Sequence, residues 1–333
     1  MVSQKQAYIY INYSNIVVLQ SYLEVIQKAL IENGYKCEFT KSLETIDKSS
    51  LIVHPMAIDA LKYYLKGYKN FILWQQGATA DESYLRHHSK VRYWLLNRID
   101  TFAMKKAKFI LFVSNYMKLH YEKLADCSFE EKSYTMPCFN EKFDENIYKR
   151  KDFSKKTFTY AGSLDLWQCF DQTVDLYKEI EAKVSNAMFK VLTFQVDEAK
   201  RILEEKGVKN YIVKCVPKDD VKKELVEMTY GFILREDSMV NRVATPTKFS
   251  SYLAAGVIPI FSECLRDFAS VSSNMKYILK IGKHYSVDEV VAFVNLDVDM
   301  EELKSEYKSL FDSYYSVAMH ISNLKGLFRK IAL

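Results

Sequence analysis

The chain has 333 residues, of which 49% are hydrophobic and 27% charged, with a formal net charge of +5. That size and balance predict a globular protein of two domains. No apolar run reaches the roughly 18 residues of a membrane span, and the N-terminus lacks an apolar signal core, so we expect a cytoplasmic protein. The cysteines form no C-x-x-C pair, which argues against a metal or redox site and favours free thiols at Cys37, Cys127, Cys138, Cys169, Cys215 and Cys264.

The first half alternates short apolar runs with stretches of helical spacing. The runs predict strands at 7–12, 35–39, 51–54, 71–74 and 109–113. The helical pattern between them covers 16–31, 55–65 and 82–106, and a further helix begins after Ser114. Strands that alternate with helices predict a parallel sheet covered on both faces.

A polar stretch at 140–156 interrupts the alternation, and we interpret it as the linker between two domains. The pattern then resumes, with predicted strands at 157–160, 189–194, 211–213, 231–234 and 257–261. The predicted helices are 167–182, 197–206, 219–228, 246–255 and most of the tail from 300. The expected fold class is therefore α/β, with two Rossmann-like, doubly wound domains.

The segment 235–256 holds the clearest candidate site. Arg235 ends a predicted buried strand, and Pro246 and Gly256 are placed where a helix begins and ends. A cationic loop before a helix N-terminus suits a phosphate or diphosphate. The candidate donor-binding residues are Arg235, Asn241, Arg242, Thr247, Lys248 and Ser251. The alternatives are a solvated loop, a salt bridge from Arg235 to a neighbouring acid, and a core-facing Ser251.

Two other loops follow predicted strands, at the edge where α/β sheets bind ligands. In the second half, Gly162 and Ser163 follow a strand, and Gly162 either lets a diphosphate approach the backbone or makes a tight turn. In the first half, the polar loop 74–88 supplies the candidate acceptor contacts Gln76, Gly77 and His88. Asp81 or Glu82 of this loop is a candidate base, and for each the alternative is a helix N-terminal acid with no chemical role.

Residues 86–108 combine basic and apolar side chains at helical spacing. Such a helix can lie on an anionic membrane, so one expectation is peripheral contact with the inner face of the cell membrane. The alternative is a core-packed helix with a solvated face. The whole net charge lies in residues 1–150, with 21 basic against 16 acidic residues. Because this bias is modest and no binding motif accompanies it, we expect no nucleic-acid partner.

Four segments resemble the GT-B glycosyltransferases, in particular the bacterial retaining transferases that build capsule and lipopolysaccharide chains. Phe109–Lys118 resembles their strand and helix joined by Val-Ser, and Phe158–Ser163 resembles the Tyr-x-Gly opening of their second domain. Val216–Val226 is similar to the helix before the donor strand, and Asn241–Gly256 is similar to the donor-binding loop and helix. The resemblance covers most of residues 70–265.

The resemblance implies transfer of a sugar from a nucleotide-diphosphate sugar, with a UDP-sugar as the expected donor, to a glycan or lipid-linked acceptor. It implies retention of configuration, no cofactor and no metal, because protein cations neutralise the leaving diphosphate. Arg235 and Lys248 would carry that charge. The implied organisation is an acceptor domain at 1–145, a donor domain at 146–315 that faces it across a central cleft, and a helix at 316–333 that returns to the first domain.

The chain departs from the family pattern in several places. Ser251 stands where many members carry a Glu that binds the ribose, residues 163–168 hold no cation for the diphosphate, and Asn12–Asn15 replaces a first-domain glycine loop. These departures keep two alternatives open. One is a sugar-nucleotide epimerase on the same fold, and the other is a non-catalytic, transferase-like partner subunit.

Overall fold

Two six-stranded parallel sheets organise the computed structural model, which describes residues 5–11 and 20–330. The first sheet contains β1 Lys5–Tyr10, β2 Tyr35–Thr40, β3 Leu51–His54, β4 Phe71–Gln75, β5 Phe109–Phe112 and β6 Ser133–Thr135, in the order β2-β1-β3-β4-β5-β6. The second contains β7 Thr157–Ala161, β8 Met188–Leu192, β9 Tyr211–Lys214, β10 Tyr230–Ile233, β11 Ile258–Ser262 and β12 Leu279–Ile281, in the order β12-β11-β10-β7-β8-β9. β3, β4 and β5 are buried along their whole length, which explains their continuous apolar runs.

Helices connect most successive strands, while a loop without a helix joins β2 to β3. They are α1 Gln20–Ile31, α2 Ala57–Leu65, α3 Thr79–His87, α4 Lys90–Lys106, α5 Asn115–Ala125, α6 Glu145–Tyr148, α7 Phe170–Lys183, α8 Val196–Glu205, α9 Lys218–Val226, α10 Met239–Arg242, α11 Lys248–Ala254, α12 Arg266–Val271, α13 Val287–Val294, α14 Met300–Ser313 and α15 Val317–Lys330. The predicted helix at 16–31 is described only from Gln20, and residues 16–19 lie outside the described residues, as does the loop Asn12–Asn15. Among the described residues, no helix combines the length and apolarity that a bilayer crossing requires.

The described residues divide into two units, each built on one sheet. The first unit takes those up to Asn140, together with Arg242–Thr245 and those from Ser316 onward. The second takes Glu141–Asn241 and Pro246–Tyr315. The α/β prediction of two doubly wound sheets is confirmed.

The C-terminal helix packs within the first unit, as the fold-class prediction required. The α15 residue Phe328 meets Phe109 of β5, with ring centroids 5.3 Å apart. Lys325 forms an ion pair with Glu32 at 3.0 Å, and the Asn33 side chain donates to the Lys325 carbonyl at 3.3 Å. The aromatic contact holds α15 against β5, and the polar bonds hold it against the end of α1.

The helix predicted at 82–106 is wrong in its continuity, because the chain breaks it into α3 and α4. His88 adopts a left-handed conformation with φ 51° and ends α3. Ser89 then caps α4, since its hydroxyl accepts from the Arg92 N–H at 3.3 Å. Both flanks have helical spacing, so periodicity alone did not show the break.

The helix predicted at 246–255 is also shorter in the structure. The seven residues of α11 begin at Lys248, and the short helix α10 precedes them. The Phe249 N–H already donates to the Pro246 carbonyl at 3.2 Å. The N-terminus of α11 therefore leaves fewer free backbone N–H groups for an anion than the predicted helix would.

The short elements β6, β12, α12 and α13 were not predicted, because runs of three to eight residues leave little periodic signal.

Candidate functional site

In the second sheet, β7 and β10 lie side by side, but the chain leaves them in opposite directions. From β7 it continues to β8 on one side, and from β10 it continues to β11 on the other. This is a topological switch point, where loops beyond the carboxyl ends of the strands separate and leave a crevice for a ligand. Gly162 follows β7 and Arg235 comes soon after β10, so both predicted residues lie at this crevice.

Arg235 is held in place by hydrogen bonds to neutral groups, with only 8% of its surface exposed. Its backbone N–H donates to the Ser262 hydroxyl at 2.9 Å. Its Nη1 donates to the carbonyls of Leu234 (2.6 Å) and Gln168 (3.1 Å), and its Nη2 donates to Gln168 Oε1 at 2.5 Å. The guanidinium is thus oriented by amide oxygens rather than by the salt bridge considered from the sequence.

Lys248 begins α11 and reaches the same point. Its ammonium donates to Gln168 Oε1 at 2.6 Å and lies 4.3 Å from the centroid of the Tyr160 ring. Gly162 makes room for this side chain, because a Cβ at that position would lie 2.7 Å from Lys248 Cε. The Gly162 φ of +144° is itself a conformation that other residues rarely adopt. The group that approaches Gly162 closely is therefore the Lys248 side chain.

Gln168 was not identified from the sequence. It ends a short 3₁₀ turn, Leu166–Gln168, and its Oε1 accepts hydrogen bonds from both Arg235 and Lys248. One neutral oxygen thus bridges two cations, as a phosphate oxygen would. The only sign of it in the sequence was that residues 163–168 hold no cation. An uncharged side chain of this segment could therefore accept hydrogen bonds from Arg235 and Lys248.

Two cationic side chains, Arg235 and Lys248, meet at the crevice, and the carboxylate of Asp165 lies near Lys248 without forming an ion pair with it. Within the described ranges, neither Arg235 nor Lys248 is paired with a carboxylate. Burial lowers the pKa of Lys248 well below its usual value, and the neighbouring Arg235 charge lowers it further. Burial also lowers the pKa of Arg235, which stays protonated because its usual pKa is far above neutrality. An anionic ligand would compensate both cations.

Three other predicted donor residues shape the surrounding loops. Ser163 Oγ donates to Asp165 Oδ2 at 2.7 Å, and the Ser163 carbonyl accepts from the Tyr160 hydroxyl at 2.5 Å. Ser251 Oγ donates to the Thr247 carbonyl at 3.3 Å, and the Ser251 N–H donates to the same carbonyl at 3.1 Å. The Ser251 hydroxyl thus bonds to its own helical turn. Donor contacts of these residues stay predictions.

The remaining two donor candidates, Asn241 and Arg242, lie in the short helix α10. Asn241 is buried, and its Nδ2 donates to the Glu236 carbonyl at 3.0 Å, so it closes the loop from within. Arg242 belongs to the short segment that groups with the first unit. The site in the second unit is therefore built on Arg235 and Lys248, and the donor contacts of Asn241 and Arg242 stay predictions.

An exposed aromatic ring follows the end of the neighbouring strand, β8. Phe194 lies two residues beyond β8 and is 72% exposed, which is notable for so large an apolar side chain. The Gly162 N–H donates to the Leu192 carbonyl at 2.9 Å, so Phe194 follows the same strand end that the Gly162 loop contacts. Aromatic faces of this kind stack on flat rings such as nucleobases. Phe194 was not identified from the sequence.

In the first unit, only part of the predicted acceptor loop comes together. Gln76 Nε2 donates to the Pro55 carbonyl at 3.0 Å, and the Gly77 carbonyl lies 3.2 Å from the Tyr121 hydroxyl. His88 lies at the opposite end of α3, about 13 Å along a nine-residue helix. The structure therefore groups Gln76 with Gly77 but not with His88.

Asp81 lies among other titratable groups. Its Oδ2 is 3.6 Å from His120 Nε2, and both atoms are buried without a hydrogen bond. The nearby Asp100 is also buried and accepts from the Tyr121 hydroxyl at 2.9 Å. Burial raises the pKa of Asp100 to about 7, and burial also raises the pKa of Glu82. Asp81 as a base stays a prediction, and His120 is the partner that the sequence did not suggest.

Two parallel α/β units, a crevice at the switch point of the second, and a C-terminal helix that packs on the first are the features of the GT-B glycosyltransferase fold. The chain has this fold.

Solved structures share the fold at low sequence identity. Anabaena HepE in complex with UDP aligns with a TM-score of 0.65 and 9% identity, over 98% of this chain and 100% of that one. WaaG, a glycosyltransferase involved in lipopolysaccharide biosynthesis, aligns with a TM-score of 0.64 and 10% identity, over 96% of this chain and 100% of that one. S. aureus TarM, solved with UDP, alpha-GlcNAc-glycerol and fondaparinux, aligns with a TM-score of 0.64 and 13% identity, over 85% of this chain. The present chain spans 57% of the TarM chain.

No protein-family model and no curated protein sequence matches the chain. At these identities the likeness shows the fold, and the reaction has to be argued from the site.

Proposed function

We propose that the chain is a glycosyltransferase that moves a sugar from a nucleotide-diphosphate sugar, with a UDP-sugar as donor, to a glycan or lipid-linked acceptor. The observation that carries this proposal is the crevice at β7 and β10, where Arg235 and Lys248 meet without a carboxylate partner among the described residues. A diphosphate offers several oxygens that accept from both cations. The presence of UDP in the HepE and TarM structures, which share the fold, supports a uridine donor.

In the proposed reaction, the bond between the anomeric carbon and the diphosphate oxygen breaks, and a bond from that carbon to an acceptor hydroxyl oxygen forms. Negative charge develops on the leaving diphosphate, and Arg235 and Lys248 stabilise it in a site that excludes most water. We propose a metal-independent reaction because these two cations can supply the charge that a metal ion supplies elsewhere. The resemblance to retaining transferases favours retention, in which the hydroxyl proton passes to the leaving phosphate.

The other site residues have proposed roles around this centre. Phe194 offers an aromatic face on which the nucleobase of the donor stacks. The Gly162 loop, through Ser163, lies beside the diphosphate. Gln76 and Gly77 contact the acceptor. Asp81, next to His120, is the candidate base for the acceptor hydroxyl if the reaction inverts instead, because retention needs no such base. We place the reaction at the cytoplasmic face of the cell membrane and assign the membrane contact to 86–108.

Calorimetry with UDP, followed by incubation with single UDP-sugars, tests the proposal. We expect the chain to bind UDP and Lys248→Ala to bind it much more weakly. We also expect slow release of free sugar from one UDP-sugar, which NMR detects. Recovery of an isomerised nucleotide sugar would favour the epimerase instead. If no nucleotide binds, both enzymes are excluded and the non-catalytic partner subunit remains.

A further inference from the structure

The outer face of α4 carries large apolar side chains. Among its exposed positions, those that recur at the spacing of one helix face are Val91, Trp94, Leu95, Arg98, Phe102, Lys105 and Lys106. Lys90 and Arg92 of the first turn are exposed as well. Val91 is 78% exposed and Trp94 is 58% exposed. The inner face of the same helix contains the buried carboxyl of Asp100. Four apolar and five basic residues of α4 are thus exposed, which is more apolar surface than a solvated helix face usually carries.

The end of α2 continues this face. The ring of Tyr64 packs edge-on against Phe102, with centroids 5.6 Å apart, and Lys69 Nζ lies 3.7 Å from the Tyr64 ring centroid. Leu65, beside Tyr64, is 75% exposed. We define the α2–α4 surface as the apolar residues Leu65, Val91, Trp94, Leu95 and Phe102 with the basic residues Lys66, Lys69, Arg98, Lys105 and Lys106.

The charge of this surface has one sign. Residues 57–108 hold ten Lys and Arg against four Asp and Glu. Three of the four acids are engaged elsewhere: Asp100 is buried, Asp81 lies against His120, and Glu82 packs under the Gly77 loop. The fourth, Asp59, is half-buried in the first turn of α2, at the far end from Leu65. The basic groups lie next to the exposed rings: the Arg98 guanidinium is 5.5 Å from the Trp94 ring centroid, and Lys106 Nζ is 5.9 Å from that of Phe102.

We infer that the α2–α4 surface docks on an anionic lipid bilayer, with its apolar residues in the interfacial region and its Lys and Arg side chains on the headgroups. The inference rests on the membrane contact proposed for 86–108, and it adds the second helix and the side of α4 that faces the lipid. Aromatic and aliphatic residues flanked by long basic side chains suit the boundary between headgroups and acyl chains. Protein interfaces, by contrast, are depleted in lysine.

Flotation of the full chain with vesicles tests this inference. The chain should bind vesicles of phosphatidylcholine mixed with phosphatidylglycerol, bind phosphatidylcholine alone weakly, and dissociate as NaCl is raised. Lys105→Gln with Lys106→Gln should lower binding about 30-fold, at about 1 kcal/mol for each charge. Trp94→Ala with Leu95→Ala should lower it at least about tenfold.

Matched controls come from the second unit. Leu296 is exposed and apolar, and Lys223 is exposed and basic. Leu296→Ala and Lys223→Gln should bind vesicles as the unchanged chain does. Trp94 also reports directly, because its emission should shift to shorter wavelength on anionic vesicles, and the shift should be absent in Trp94→Phe.

Two results would overturn the inference. The first is that the chain binds anionic vesicles no better than neutral ones, or that the surface variants bind vesicles as well as the controls do. The second is that sedimentation shows a dimer, which Trp94→Ala with Leu95→Ala disrupts while vesicle binding is unchanged. That result would assign the surface to a second copy of the chain. UDP calorimetry separates this test from that of the transfer reaction: the surface variants should bind UDP normally, and Lys248→Ala should bind vesicles normally.

Discussion

The side-chain oxygen of Gln168 lies 2.6 Å from the ammonium of Lys248. The same oxygen lies 2.5 Å from Arg235 Nη2, so one neutral acceptor occupies both cations. A diphosphate that binds these cations has to displace Gln168. The affinity of the site for UDP therefore reflects a competition between a charged ligand and an internal amide.

Two substitutions of Gln168, to Ala and to Glu, should change the affinity for UDP in opposite directions. Gln168→Ala removes the competing acceptor, and UDP should bind about three- to tenfold more tightly. Gln168→Glu places a carboxylate between the two cations, and UDP should bind at least about tenfold more weakly. Calorimetry measures both, with the exposed Gln20→Ala of the first unit as control. Equal affinity in the two Gln168 variants would show that the amide does not stand in the ligand's place.

Lys248→Met should separate stability from binding. The substitution removes a half-buried charge that has no ion-pair partner, so the free energy of unfolding should rise by up to about 1 kcal/mol, while UDP affinity should fall about 10- to 100-fold. The pKa of Lys248 is lowered in the folded state, so the unfolded chain binds more protons. Its contribution to stability therefore rises with pH, from the lowered pKa up to about 10.4, the unfolded value.

Urea unfolding at several pH values measures this difference. The exposed Lys223→Met is the control and should change neither quantity. A Lys248→Met variant that is less stable than the unchanged chain at neutral pH would contradict the account of a cation without an ion-pair partner.

Gly162→Ala should damage both the fold and the site. The φ of +144° and a Cβ 2.7 Å from Lys248 Cε predict a loss of about 1–3 kcal/mol in the free energy of unfolding. UDP affinity should also fall, because Lys248 has to move. A Cβ added at Gly326 of α15 would meet no neighbouring atom within 4 Å, so Gly326→Ala should stabilise the chain by up to about 1 kcal/mol. Equal effects of the two substitutions in thermal unfolding would count against the role of Gly162.

Asp100 should make the stability of the chain depend on pH. Its folded-state pKa of about 7 is above the unfolded value of about 3.9, so the folded chain binds more protons between these values. Its contribution to stability is therefore present at low pH and is lost as pH rises through this window. Asp100→Asn should remove that loss, on the order of 2 kcal/mol between pH 5 and pH 8. The exposed Asp312→Asn is the control for urea unfolding, and parallel pH profiles of Asp100→Asn and the unchanged chain would refute the prediction.

Arg235 and Lys248 were recognisable from the sequence because each stands at a marked local position. Arg235 follows an apolar run, and Lys248 follows Pro246 at the start of a helix that Gly256 ends. Apolar runs and the positions of Pro and Gly reflect burial and backbone geometry over a few consecutive residues, so they can be recognised in the sequence. Gln168 has no such mark, since its partners are 67 and 80 residues away.

The sequence by itself determined the succession of strands and helices, the two parallel sheets, and the cationic loop after β10. Its apolar runs and its Pro and Gly positions act over a few residues, and that range is enough for secondary structure and topology. The tertiary structure alone decided that Gln168 joins Arg235 to Lys248, and that α4 turns Trp94 outward and Asp100 inward. Helical spacing shows which side chains share a face, but only the packing of distant segments decides which face is covered.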